Sequence, residues 1–263
     1  MNKTLVFHFY TFDGFLKNRA INIHLKCLKQ YHNVFNRALF VISTDDLSNH
    51  ELIHETEEEI LNCGFENIQF IVKQNNEFRE AQTFYDEVIL NLDIFDGIVF
   101  FAHTKGISNY AQFPNNAEDL DAWIYGLYYL NLNFIDETEN FFNGIIPKMF
   151  YGAFLHVDIN EVNWKKVPGY YQGAIYWLMP STILEELKRG RLPMEKVYPK
   201  LENRIGAENY PMSLCYWRDN GEYKLGSHNL MATYLHNPYM EGKKIASFLC
   251  GDKYKDFLAL LYK

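Results

Sequence analysis

An imidazole, a hydroxyl, an ammonium and a glycine stand in succession at His103-Thr104-Lys105-Gly106, at the end of the apolar run that opens with Ile98. Imidazole can hydrogen-bond or ligate a metal, and an ammonium beside backbone N–H groups offers positive charge to an anion. Four consecutive apolar residues, Ile98 to Phe101, are bounded by Gly97 and this polar turn. They read as a strand buried on both faces, as in the middle of an α/β sheet. In open α/β sheets the ligand lies beyond the carboxyl ends of the strands. Chemistry is therefore expected where this strand stops. Two more polar clusters follow apolar runs in the same way: Ser43-Thr44-Asp45-Asp46, and Asn75-Asn76-Glu77-Phe78-Arg79-Glu80.

The elements that must position these residues alternate strand and helix with short connections, the pattern of a parallel sheet covered by helices. Strands are expected at 4–10, 38–42 and 68–72. A helix at about 18–31 has Ile21, Leu25 and Leu28 on one face, and a second at about 52–61 carries Glu55, Glu57, Glu58 and Glu59 on a solvated one. After the third strand, Ala81, Phe84, Val88 and Leu92 step by three and four, predicting another helix. A loop through Pro114 and Asn115 leads from the His103 turn to a helix at about 118–131, with Leu120, Trp123, Ile124 and Leu127 on one face. The second half is less regular: strands at 150–156 and 173–178, then a helix at 180–189 with Pro180 in its first turn. Beyond Pro193 the pattern is weak. With no repeat and no low-complexity linker, residues 1–263 read as one domain, with a boundary near 145 separating lobes.

Composition narrows the classes. Apolar residues at 48% and charged residues at 22% are ordinary for a globular chain. Aromatic residues reach 17%, with 19 Tyr and 21 Phe. That content serves either an aromatic-rich core or a flat, hydrogen-bonding cleft. The net charge of −8 excludes a broad basic face for nucleic acid, so an anionic ligand must meet a local cluster. Cys27, Cys63, Cys215 and Cys250 are widely spaced and read as free thiols in a reducing compartment. The first ten residues are too interrupted for a signal peptide, and no run is long enough to span a membrane. A cytoplasmic protein is expected.

Phe100-Phe-Ala-His-Thr-Lys-Gly106, Trp123-Ile-Tyr-Gly-Leu-Tyr-Tyr-Leu130, Tyr171-Gln-Gly-Ala-Ile-Tyr-Trp177 and Ala207-Glu208 occur in that order. Together they resemble a bacterial family of glycosyltransferases with a His-Thr-Lys-Gly turn, over roughly residues 4–211. The resemblance implies a GT-A-like, Rossmann-like α/β fold: a mostly parallel central sheet flanked by helices. Residues 1–145 would bind a nucleotide sugar, and a less regular half, 146–263, would bind the acceptor. It implies transfer of a sugar from a nucleotide-diphosphate donor to a glycan or lipid-linked acceptor, in surface polysaccharide or lipopolysaccharide assembly. Neither nucleic acid nor a membrane span belongs to that picture, and peripheral membrane contact stays open. GT-A enzymes commonly hold a divalent metal, Mn or Mg, on an Asp-x-Asp after the fourth strand. Here that place holds His103-Thr104-Lys105 with no Asp-x-Asp near it, so metal dependence is open; His103 is either a metal ligand or, as a lone histidine at a strand end more often is, a hydrogen-bonded structural residue.

A departing diphosphate needs positive charge, which a metal or an ammonium with backbone N–H groups can supply. Lys105 is the expected source, with Thr104 and Gly106 in the same donor site; an exposed loop lysine is the alternative. Asp45 or Asp46 can accept from ribose hydroxyls or close a turn. Arg79 can bind phosphate bidentately while Asn75 and Asn76 hold hydroxyls; alternatively Asn76 caps the helix and Arg79 pairs with Glu80 or Asp86. For the acceptor, Tyr170, Tyr171, Gln172, Gly173, Tyr176 and Trp177 combine aromatic planes with hydrogen-bonding groups, part of the set belonging to the core. Glu208 is the expected general base, ahead of Asp158, and His228 is a lesser candidate for phosphate or metal. Two rival readings stand beside this one: a glycan-binding protein without activity, and transfer of a phosphate-containing group from an activated nucleotide.

Overall fold

Four parallel strands carry the first half of the chain: β1 (Lys3–Thr11), β2 (Arg37–Thr44), β3 (Ile68–Gln74) and β4 (Ile98–His103). The computed structural model describes residues 1–112, 115, 117–145, 148–153, 155–157, 169–198, 207, 210, 211, 214, 225 and 226. Every β4 residue, all of β2 but Arg37 and all of β1 but Lys3 and Tyr10 are buried, as continuous apolar runs require in a sheet covered on both faces. β1 is central, pairing β2 on one side and β4 on the other. β3 is the edge beyond β2.

Helices α1 (Arg19–Tyr31) and α2 (His50–Leu61) cover one face, together with α5 (Ala117–Leu132), which a short α4 (Asn109–Gln112) precedes and α6 (Ile135–Phe142) follows. Asn18 starts α1 by accepting the Ala20 and Ile21 N–H groups on its side chain, and Asn49 does the same for α2 through Leu52. The predicted helix over 81–92 covers the other face, but in three pieces. A short α3 (Glu80–Thr83) runs into a π turn, Phe84–Val88, and then a 3₁₀ segment, Ile89–Ile94. Ala81, Phe84, Val88 and Leu92 still reach one core with Val6, Val99 and Phe101. The chain thus winds outward from β1 to β3 over one face and returns to β4 over the other. That makes the β1–β4 edge the topological switch point, where the crevice of an open α/β sheet forms.

The second half completes the sheet in the opposite sense. The expected strand over 150–156 divides between β5 (Phe150–Tyr151) of the main sheet and β6 (Leu155–Val157), which pairs with β7 (Gly169–Tyr171). The strand expected over 173–178 shortens to β8 (Tyr176–Leu178), because Gly173 (φ 78°) and Ala174 (φ 50°) turn the chain left-handed first. β8 runs antiparallel to both β4 and β5, and a two-residue β9 (Leu225–Gly226) closes the order β3-β2-β1-β4-β8-β5-β9. Helix α7 (Pro180–Lys188), with Pro180 in its first turn, joins the α3 side of the sheet.

The aromatic content is largely core. Trp177 packs against both Phe100 and Phe35, with ring centroids 4.8 and 5.8 Å away, and those two rings also stack on each other. Helix α5 is buried from Leu120 to Leu132, so it is apolar nearly all round rather than on one face. Cys27 and Cys63 are buried free thiols; Cys215 and Cys250 lie outside the described residues. Among the described residues no helix is long and apolar enough to cross a membrane.

Candidate functional site

The carboxyl ends of β1 to β4 meet over two adjoining polar cavities. The larger, of about 460 Å³, is bounded by His8 and Tyr10 of β1, by Asn75, Arg79 and Glu80 after β3, and by the stretch from His103 to Asn109 with Gln112. The second, of about 430 Å³, shares His8 and Arg79 and continues toward Ser43, Lys73, Gln82 and Asp86. Its nine lining residues all carry hydrogen-bonding side chains, so it suits a polar ligand.

Asp45 is held ready at the end of β2. Its Oδ2 accepts the Tyr10 hydroxyl at 2.6 Å and its Oδ1 the Asn75 amide at 2.8 Å. These two bonds, and then Arg79, hold its carboxyl below the usual range, so it stays ionised. Burial and then Asp45 push the Tyr10 phenol up to about 12, so it remains a donor. Asp46 instead closes a turn on Ser48, accepting its N–H and hydroxyl. Asn76 likewise caps the turn before α3, accepting the Phe78 and Arg79 N–H groups. Of the paired readings, Asp46 and Asn76 fall on the turn side, and Asn75 braces Asp45.

Arg79 is exposed, borders both cavities, and its guanidinium makes no hydrogen bond or ion pair with any described residue. The expected alternative partner, Asp86, is engaged by Lys73 at 2.9 Å and Gln82 at 2.7 Å. Arg79 also has φ 49° and ψ −125°, a conformation normally reserved for glycine that costs about 1–3 kcal/mol. The side chain is thus carried into the cleft by strained backbone.

At the switch point His8 and His103 are register partners on β1 and β4, 3% and 4% exposed. His8 Nδ1 meets the Thr83 hydroxyl at 2.9 Å, and burial above all lowers its pKa to about 3. His103 donates Nε2–H to the Gly173 carbonyl at 2.7 Å. Thr104 ties β4 to β1, giving its N–H to the His8 carbonyl and accepting the Tyr10 N–H on its hydroxyl, both at 3.0 Å. Lys105 is half-buried on the cleft wall. Gly106 has φ 90°, and a side chain there would sit 3.1 Å from Ile124. The far end of this turn is fixed by Tyr110, which donates to Asp121 at 2.6 Å.

Asp121 belongs to an Asp-x-Asp after all, Asp119-Leu120-Asp121 in α5, downstream of the position where the sequence lacked one. It is fully buried and paired with Arg19, which leaves it no part in the cleft. With Asp121 sequestered and His103 Nε2 committed to a carbonyl, the described residues of the cleft offer no ready set of metal ligands. Among the described residues no three His, Cys, Asp or Glu side chains gather to hold one.

The acceptor expectation is corrected in part. Trp177 is 0% exposed and donates to the Asn131 carbonyl, and Tyr176 is buried with its hydroxyl on the Ala207 carbonyl. Neither can touch a ligand. Gly173 is packed beneath Trp123 and Leu127 rather than open to approach. The side chains of Tyr170, Tyr171 and Gln172, and all of Asp158, Glu208 and His228, lie outside the described residues. Sequence reading missed His8, Tyr10 and His24, and named Glu80 as a partner for Arg79 rather than as part of the cavity wall. Tyr10 ends a strand as His103 does, and His24 sits on the apolar face of α1 between Ile21 and Leu25, so each carried a legible signal. The chain matches no protein-family model and no curated protein.

Proposed function

We propose that the protein is a nucleotide-sugar-dependent glycosyltransferase of GT-A type, whose donor diphosphate occupies the cleft at the β1–β4 switch point. One observation carries this reading: Asp45, Asn75, Arg79, His103, Thr104, Lys105 and Gly106, from three separate strand ends, line or brace one pair of connected polar cavities. An ionised carboxylate already oriented by Tyr10 and Asn75 suits ribose hydroxyls, and Arg79 with Lys105 in the lining of one cavity suits a diphosphate. As the bond from sugar to diphosphate breaks, charge grows on the departing oxygens, and these two cations are the groups placed to stabilise it. Metal has no step in this account. Glu208 remains the proposed base for the acceptor hydroxyl. The two-part layout, a parallel βα half followed by an antiparallel addition, supports the same reading. A glycan-binding role without activity loses its chief aromatic platform with the burial of Trp177 and Tyr176.

A thermal-shift screen against UDP, GDP, CDP and their common sugars, each with EDTA and with Mn²⁺ or Mg²⁺, tests the proposal. A selective rise in melting temperature that persists in EDTA is expected. A flat response to every nucleotide overturns it.

A further inference from the structure

The turn after β4 is gripped from the α1 side of the sheet. His24 of α1 is fully buried; its Nε2 lies 2.8 Å from the Lys105 carbonyl and its Nδ1 2.7 Å from the Tyr128 hydroxyl of α5. A carbonyl only accepts, so Nε2 carries the proton and Nδ1 accepts the Tyr128 O–H. Burial lowers the His24 pKa to about 4, so the ring is neutral at pH 7. One relay therefore joins two helices and the turn: Tyr128 to His24 to the Lys105 carbonyl.

The peptide from Lys105 to Gly106 is trans, so its C=O and N–H point to opposite sides. Drawing the carbonyl into the α1–α5 layer turns the Gly106 N–H the other way, toward the cleft that Gly106 lines. Among the described residues this N–H makes no hydrogen bond, although Gly106 is buried. Buried N–H groups are rarely left so. The left-handed φ of 90° and the nearness of Ile124 restrict the position to glycine.

We propose that His24, its tautomer set by Tyr128, is a positioning residue that aims the Gly106 N–H into the cleft as a fixed donor to a phosphate oxygen. The identity of the ligand rests on the nucleotide reading; the orientation of the peptide does not.

Lys105-Gly106 is the one Lys-Gly pair in the chain, so carbonyl-¹³C lysine with ¹⁵N glycine isolates this single amide in the full-length protein. On titration with inorganic pyrophosphate, the Gly106 amide proton is expected to move downfield. In His24→Leu that movement should vanish and pyrophosphate affinity fall about tenfold or more, the loss of one hydrogen bond to a charged group. His24→Gln, which keeps a donor, should hold affinity within about threefold of wild type. Tyr128→Phe, which frees the tautomer but keeps the ring, should weaken binding in the same direction and serves if the leucine variant does not fold. A purely structural His24 would shift the other glycine signals and the melting temperature while leaving the Gly106 response intact, which overturns the inference. Pyrophosphate binding without movement at Gly106 overturns it too, and leaves the nucleotide reading standing if UDP, GDP or CDP binds. Movement with pyrophosphate but no binding of any nucleoside diphosphate upholds the positioning role and sinks the nucleotide reading. Binding of neither ligand overturns both.

Discussion

His8 and His24 are buried neutral, held down at about 3 and about 4 chiefly by burial. In the unfolded chain a histidine takes its proton near 6.5. Between those values the unfolded state binds more protons, so stability rises with pH across the window. The contribution is complete above about pH 6.5 and is lost as pH falls toward about 4 for His24 and about 3 for His8. The shifts correspond to on the order of 3 kcal/mol for His24 and 5 kcal/mol for His8. Asp45, depressed by its Tyr10 and Asn75 bonds, adds a loss of the same sign in acid. Urea denaturation should therefore show a midpoint well below its neutral value at about pH 4.5; equal midpoints would mean that both rings accept protons within the fold. His8 also marks what sequence alone conceals. A histidine inside the apolar run from Leu5 to Phe9 has no visible partner until α3 brings Thr83 to it across the sheet.

The strands were legible because an apolar run bounded by polar residues depends only on neighbours in sequence. The pieces that failed depend on distant partners. The helix expected over 81–92 kept its apolar face but lost regular geometry, since it must cross from the β3 edge back to β4. The strand expected over 150–156 split between two sheets. Trp177 looked like a platform in sequence and became core because β8 pairs antiparallel with β4 and stacks it on Phe100. At the switch point the link between β1 and β4 runs through Thr104, buried, which takes the Tyr10 N–H on its hydroxyl. Thr104→Val keeps the shape and removes that acceptor, so the variant should lose about 1–3 kcal/mol in denaturant unfolding. It should also loosen Tyr10 from Asp45. An unchanged midpoint would show that water replaces the threonine oxygen.

At the scale of the whole molecule, a chain of net charge −8 presents Arg79 and Lys105 to a cleft whose other walls carry amide, hydroxyl and imidazole groups, the carboxylates of Glu80 and Asp86, and Lys73, which Asp86 and Glu87 engage. The site is assembled from the ends of β2, β3 and β4 and faced by β1, so no single segment reveals it; only the order of the strands does. The positions singled out after each apolar run did converge on one cleft, because each follows a strand of the same sheet, whereas Tyr176 and Trp177 went into the core. The central claim, a nucleoside diphosphate held at the switch point by Arg79, is tested most directly by calorimetry of wild type and Arg79→Ala with UDP, GDP and CDP in EDTA. The account predicts binding of one of them by the wild type and a loss of about tenfold or more in the variant, the worth of one charge-assisted contact. Equal affinity in both proteins, or no heat with any of the three, would contradict it.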